Sequence, residues 1–212
     1  MTPRRSFLGL GLAALLGATV SRRASSDGTD ALLDELSQAR QELRSLRASF
    51  EQVRRIGILA TDVTSRGRMV LVRPNRLRWQ LLPPDAVTYW VGPEGLAYAT
   101  GTSRARVDRA AAGQLGGVME DLLSFLGGDL RSLRSRFELR ARRIESGARI
   151  EARPRDEALR KVLRKLEVEV ASDLVSPRHV LLEETESELV RVRFFDVERN
   201  VEVEPSSMRP PR

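Results

Sequence analysis

Apolar and polar residues alternate one for one along much of the chain. The runs Phe137-Glu138-Leu139-Arg140-Ala141-Arg142, Leu166-Glu167-Val168-Glu169-Val170 and Val190-Arg191-Val192-Arg193-Phe194 each put their apolar side chains on one face. Such strands have one dry and one wet face, the pattern of an antiparallel sheet. Continued along the chain, it predicts strands near 53–64, 66–73, 76–82, 86–91, 95–100, 103–109, 136–143, 147–153, 165–172, 178–185 and 188–198. Helical spacing appears in three places. Leu32, Leu36, Ala39, Leu43, Leu46 and Phe50 recur every three or four residues, which predicts a first helix from near Thr29 to Phe50. Thr29 or Asp30 can cap its start, and Asp34 and Glu35 suit its early turns. A second helix is expected over 114–126 and a short one near 156–163.

About eleven strands with a single apolar face cannot stay flat in water. They must curl around something, and three helices cover a curled sheet only loosely. The expected fold is mainly β with α: an incomplete antiparallel β-barrel with a helical lid over an apolar cavity. A filled sandwich or barrel is the competing packing.

The stretch Gly67-Arg68-Met69-Val70-Leu71-Val72-Arg73-Pro74-Asn75-Arg76-Leu77-Arg78-Trp79-Gln80-Leu81-Leu82-Pro83-Pro84 is the most informative. Two strand-like runs flank a corner at Arg73-Pro74-Asn75. Proline fixes its own φ and pushes Arg73 into an extended conformation, so the corner is stiff. With Phe50 and Gln52 before it, and Arg73-Pro74, Leu77, Trp79 and Pro83 or Pro84 in order, this region resembles the outer-membrane lipoprotein carrier (LolA-like) family. Weaker likenesses follow in Asp121-Leu122-Leu123, Gly128-Asp129, Pro154, Pro177, Phe194 and Asn200. The resemblance spans residues 32 to 204 and rests on the order of its parts.

The resemblance implies a carrier of acyl chains. Exposing acyl chains to water costs roughly 0.8 kcal/mol per CH₂, on the order of 13 kcal/mol for a ~16-carbon chain, so a soluble courier must hide them. It also implies that Arg73 holds the lid closed through hydrogen bonds from its planar fork to lid carbonyls. The candidate ligand-binding residues are Phe50, Met69, Leu71, Leu77, Trp79, Leu81, Tyr89, Met119, Leu122, Leu123 and Phe125. The implied partners are an acylated lipoprotein or lipid cargo, an inner-membrane exporter and an outer-membrane acceptor, with the chain acting as a monomer. Gly92-Pro93-Glu94-Gly95 in place of the usual Asp-Gly turn, and Met208 where an aromatic often stands, depart from the family pattern. The alternatives are a lipid- or lipoprotein-sensing regulatory module and a structural envelope protein with a filled core.

The amino terminus reads as an address. Arg4-Arg5-Ser6-Phe7-Leu8 precedes an apolar run from Leu8 to Val20, and small residues follow. This is an export signal over 1–26, of twin-arginine type, with cleavage expected between Ala18 and Ser26. Residues 27–212 then form one periplasmic domain. The run is too short to span a ~30 Å bilayer core as a helix.

Composition narrows the chemistry. There is no cysteine, so disulfides, thiolate catalysis and lipidation through the chain's own cysteine are excluded. The formal charge of +7 includes Arg4, Arg5, Arg22 and Arg23 of the signal, leaving +3 without those four. Asp and Glu interleave with Arg throughout, which argues against a nucleic-acid partner. His179 is the single histidine, at a strand start with no ligand-spaced companion, and it reads as a cross-strand or exposed residue. No nucleophile elbow, Walker or dinucleotide glycine pattern is present. The sequence therefore predicts no enzyme activity, no cofactor and no metal.

Overall fold

The computed structural model describes residues 20–57, 61–107, 113–127, 130–184 and 187–210. Most of the export segment, residues 108–112 and Gly128-Asp129 lie outside the described residues.

Eleven strands form one antiparallel sheet: β1 (Ser45–Ile56), β2 (Thr61–Val72), β3 (Arg76–Leu81), β4 (Thr88–Gly92), β5 (Gly95–Ala99), β6 (Arg104–Val107), β7 (Phe137–Ile144), β8 (Gly147–Pro154), β9 (Lys165–Ala171), β10 (Pro177–Glu183) and β11 (Leu189–Arg199). Their spatial order is β6-β5-β4-β3-β2-β1-β11-β10-β9-β8-β7. Two meanders, β1 to β6 and β7 to β11, thus join through the central β1–β11 pair. The edges β6 and β7 do not pair, so the barrel stays open. The expected incomplete barrel of eleven strands is present.

One face of this sheet carries the core. Leu46, Ala48 and Phe50 of β1 face inward with Met69 and Leu71 of β2, Leu77 and Trp79 of β3, Val168 of β9 and Val192 of β11, all buried. Phe50 stacks on Trp79 at 4.1 Å between centroids, and Phe194 meets both edge-on at 6.3 and 6.0 Å. The opposite, convex face is largely arginine and glutamate. It carries cross-strand pairs such as Arg47–Glu198 at 3.2 Å and Arg55–Asp62 at 3.0 Å. Exposed pairs of this kind contribute at most about 1 kcal/mol each.

The first helix differs from the expectation. α1 runs over Val20–Ala39 and stops there, and Phe50 lies in β1 rather than at a helix end. The reason is that Leu46, Ala48 and Phe50 also fit a period of two. With partners on both sides, the strand also satisfies the facing backbone groups of β2 and β11, which a longer helix would leave unpaired. β1 accordingly ends at Ile56 and β2 begins at Thr61, where the expected boundary lay near residue 65. α2 (Gly113–Gly127) and α3 (Glu157–Arg160) match the expected helices, though α3 is shorter.

Three local devices shape the sheet. Asp196 has φ of 51° where the β1–β11 register shifts between Arg47 and Ser49, so β11 carries an extra residue that bends it. Gly92 pairs with Gly95 across Pro93-Glu94, the tight turn expected there; Gly95 has φ of 113°. After β11 the chain runs along the convex side. Ser45 Oγ donates to Val201 O at 2.6 Å, Trp90 Nε1 donates to Ser207 O at 3.1 Å, and Met208 is buried.

The two long helices divide the concave side. α1 lies against β7, where Thr29 Oγ1 accepts from Ala141 N at 3.3 Å and so blunts a sheet edge. α2 lies over β2 and β4. Leu32, Leu33 and Leu36 of α1 and Leu122, Leu123, Phe125 and Leu126 of α2 are buried in one cluster with the inward face of the sheet.

Gly67 pairs with Phe50 at the centre of this cluster, and a Cβ there would overlap the Phe50 ring and the Gln80 carbonyl oxygen. Gly67→Ala is therefore expected to destabilise the fold by about 1–3 kcal/mol, the range for overpacking a tight contact. A lowered denaturant midpoint at unchanged slope measures it; an unchanged midpoint would mean that Phe50 does not lie over this glycine.

Candidate functional site

All eleven sequence-predicted ligand-binding residues fall on the concave side. Phe50, Met69, Leu71, Leu77, Trp79, Leu122, Leu123 and Phe125 belong to the core cluster, and Leu81, Tyr89 and Met119 pack against it half-buried. The face assigned to β2 and β3 from Leu77, Trp79 and Leu81 is the inner one. Phe50 reaches the cluster from β1 rather than from α1. Leu123 also borders a cleft of about 500 Å³ between α2, the β2–β3 corner and the β4–β5 hairpin, lined further by Arg73, Asn75, Asp121 and Arg136.

Arg73 stands at the end of β2 with its peptide bond to Pro74 cis. Its Nη1 donates to the Arg40 carbonyl and, at 3.4 Å, to the Leu43 carbonyl. Both carbonyls belong to the turn that ends α1. Neither acceptor lies on α2. The same turn is held from β11's end by Asn200. Its Oδ1 accepts from Arg44 N at 2.8 Å and its Nδ2 donates to Glu42 O at 3.2 Å. Arg73 N donates to Arg44 O at 2.9 Å. Residues 40 to 44 are thus pinned to the sheet on both sides.

The residue that sequence reasoning missed is Arg40. It follows α1 directly and is 1% exposed. Its Nη1 donates to Phe125 O of α2 at 2.8 Å and its Nε to Leu174 O of the β9–β10 turn at 3.0 Å. A signal for it existed: Leu32, Leu36 and Arg40 form an i, i+4 row. The stripe read from the sequence stepped to Ala39 instead, which faces solvent.

Asp121 is the other buried charge here. Its Oδ1 pairs with Arg136 Nη1 at 3.0 Å, while Oδ2 is buried without a hydrogen bond. Burial pushes its carboxyl up to about 6; Arg136 opposes this and Glu120 adds to it. His179 is exposed and meets Glu169 at 3.0 Å across β9 and β10, the cross-strand placement expected. Among the described residues no three His, Asp or Glu side chains gather as a metal site would need, and no helix is long and apolar enough to cross a membrane.

No protein-family model matches this chain, and no curated protein matches it. Solved structures do. MucB is similar with a TM-score of 0.51 at 18% identity, over 88% of this chain and 64% of MucB. This chain therefore spans just under two thirds of MucB's length. A DUF1329 family protein from Desulfovibrio piger gives 0.48 at 8% identity over 87% and 97% of the two chains. A LolA superfamily protein from Nitrosomonas europaea gives 0.44 at 10% over 85% and 96%. At 18% identity the likeness to MucB is one of fold.

The Asp121 carboxyl generates a pH test. Its raised value favours the neutral form when folded, so its contribution is fullest below the ordinary aspartate range and is lost as pH rises through about 6. Lowering the pH from 7.5 to 5 carries the solution about one unit below that value and should stabilise the protein through this group by on the order of 1 kcal/mol. Asp121→Asn should remove that part of the pH dependence. Identical stability profiles for the two proteins would show that Asp121 is not buried as described.

Proposed function

We propose that this protein is a periplasmic carrier that shelters the acyl chains of a lipoprotein or lipid and hands them on towards the outer membrane. One observation carries the reading: the centre of the concave face of an open eleven-strand sheet is apolar, and α1 and α2 each cover only part of it. A filled core needs no movable cover. A face closed by two helices, each over its own part, exposes apolar surface when one of them lifts. The family resemblance supports the same reading, with Arg73 at the β2–β3 corner. The start Arg4-Arg5-Ser6-Phe7-Leu8 supports export by the twin-arginine route, with cleavage between Ala18 and Ser26. The partners are then an inner-membrane exporter and an outer-membrane acceptor, and the carrier works as a monomer by binding rather than catalysis.

A second reading is a regulatory binding module. MucB, the match with the TM-score of 0.51, also occurs in solved complexes with MucA. A protein partner that competes with lipid for this chain would favour that role.

The test of carriage is direct. A fluorescent fatty acid should bind delipidated protein saturably, and phospholipid should displace it. Organic extracts of natively purified protein should contain acyl lipid by mass spectrometry. Absence of binding across a broad titration, with no lipid in the extract, would leave a structural protein with a filled core.

A further inference from the structure

Helices leave their last four carbonyls without intrahelical partners, and the negative end of the helix dipole lies there. Neither α1 nor α2 has a basic residue in its own last turn. Each receives an arginine from elsewhere. Arg73 reaches the carbonyl of Arg40 just beyond α1, and the Arg40 guanidinium reaches the carbonyl of Phe125 in the last turn of α2. The two caps share one residue, so they form a series from the sheet to α1 to α2.

Arg40 also spans the fold sideways. Its second acceptor, the Leu174 carbonyl, is presented by a turn in which Leu174 has φ of 59° and Asp173 Oδ1 accepts from Val175 N and Ser176 N at 2.9 Å. α1, α2 and the β9–β10 turn thus meet at one side chain. We propose that Arg40 is the latch that holds α2 down over the apolar face, and that Arg73 acts on α2 through it. This inference rests on reading α2 as a movable cover.

The latch has a built-in weakness. Its charge is met by two neutral carbonyls rather than by a hydrogen-bonded carboxylate, and Nη2 is buried with no partner. An unmet donor on a buried cation costs free energy that water returns as soon as α2 lifts. The nearest charges acting on it are Asp173, which favours the cation, and Arg73, which opposes it. Burial, the larger influence, pushes its pKa down to about 10, so it stays protonated at neutral pH. Closure is therefore held by directional bonds that can be given up, as reversible release requires.

Amide hydrogen exchange on the ligand-free protein tests this. Arg40→Met keeps the apolar stem and removes every donor. The amides of residues 113–127 should exchange roughly tenfold faster or more, the factor that loss of one hydrogen bond to a charged group gives. Those of β8 to β10 should keep their protection, and Arg40→Lys should fall between. Arg73→Leu, at a half-buried position, provides a second route if Arg40→Met does not fold. It should loosen residues 40–44 and give a smaller rise in α2. Unchanged α2 exchange in both variants, or a rise shared equally by β8 to β10, would overturn the latch. No lipid enters the measurement, so failed lipid binding would sink the carrier reading and leave this result standing, and the reverse also holds.

Discussion

An antiparallel sheet with a single apolar face must hide that face, and this one does so without closing. The first and last strands pair at its centre, so the two free edges come from the middle of the chain. α2 lies in the connection between those edges and returns over the concave side. Cover by helices is cheaper to undo than cover by a second sheet, because a helix satisfies its own backbone bonds whether docked or not. Only its apolar stripe and its ends are at stake. The stripe is Leu122, Leu123, Phe125 and Leu126, and the end is the Phe125 carbonyl that Arg40 meets.

Arginine does two different jobs here. On the convex face it is solvated and pairs with Glu and Asp across strands. At Arg40 and Arg73 the planar fork reaches backbone carbonyls instead. Lysine has the charge but not the fork, and it could not serve Phe125 and Leu174 with the same geometry.

Much of the sheet was legible in the sequence because period-two alternation is read directly from side-chain order. The runs at Phe137, Leu166 and Val190 became β7, β9 and β11, and Leu77, Trp79 and Leu81 share one face of β3. The end of α1 was not legible. Leu43, Leu46 and Phe50 fit a helix, while Leu46, Ala48 and Phe50 fit a strand, and tertiary pairing with β2 and β11 decided between them. The extra residue at Asp196 left no pattern to read. Arg40 was hidden for another reason: an arginine beside a helix stripe reads as solvated until its acceptors are known, and these come from residues 125 and 174, far along the chain.

The central claim is that α2 covers the apolar face when the protein is empty and leaves it when cargo is present. Because the chain has no cysteine, spin labels can be placed on single cysteines introduced at Glu120 in α2 and at exposed Arg178 on β10. Pulsed electron–electron resonance then measures the distance between them with and without phospholipid. The account predicts one narrow distance for the empty protein and a longer, broader distribution once lipid is bound. A distribution that stays the same while lipid demonstrably binds would contradict it.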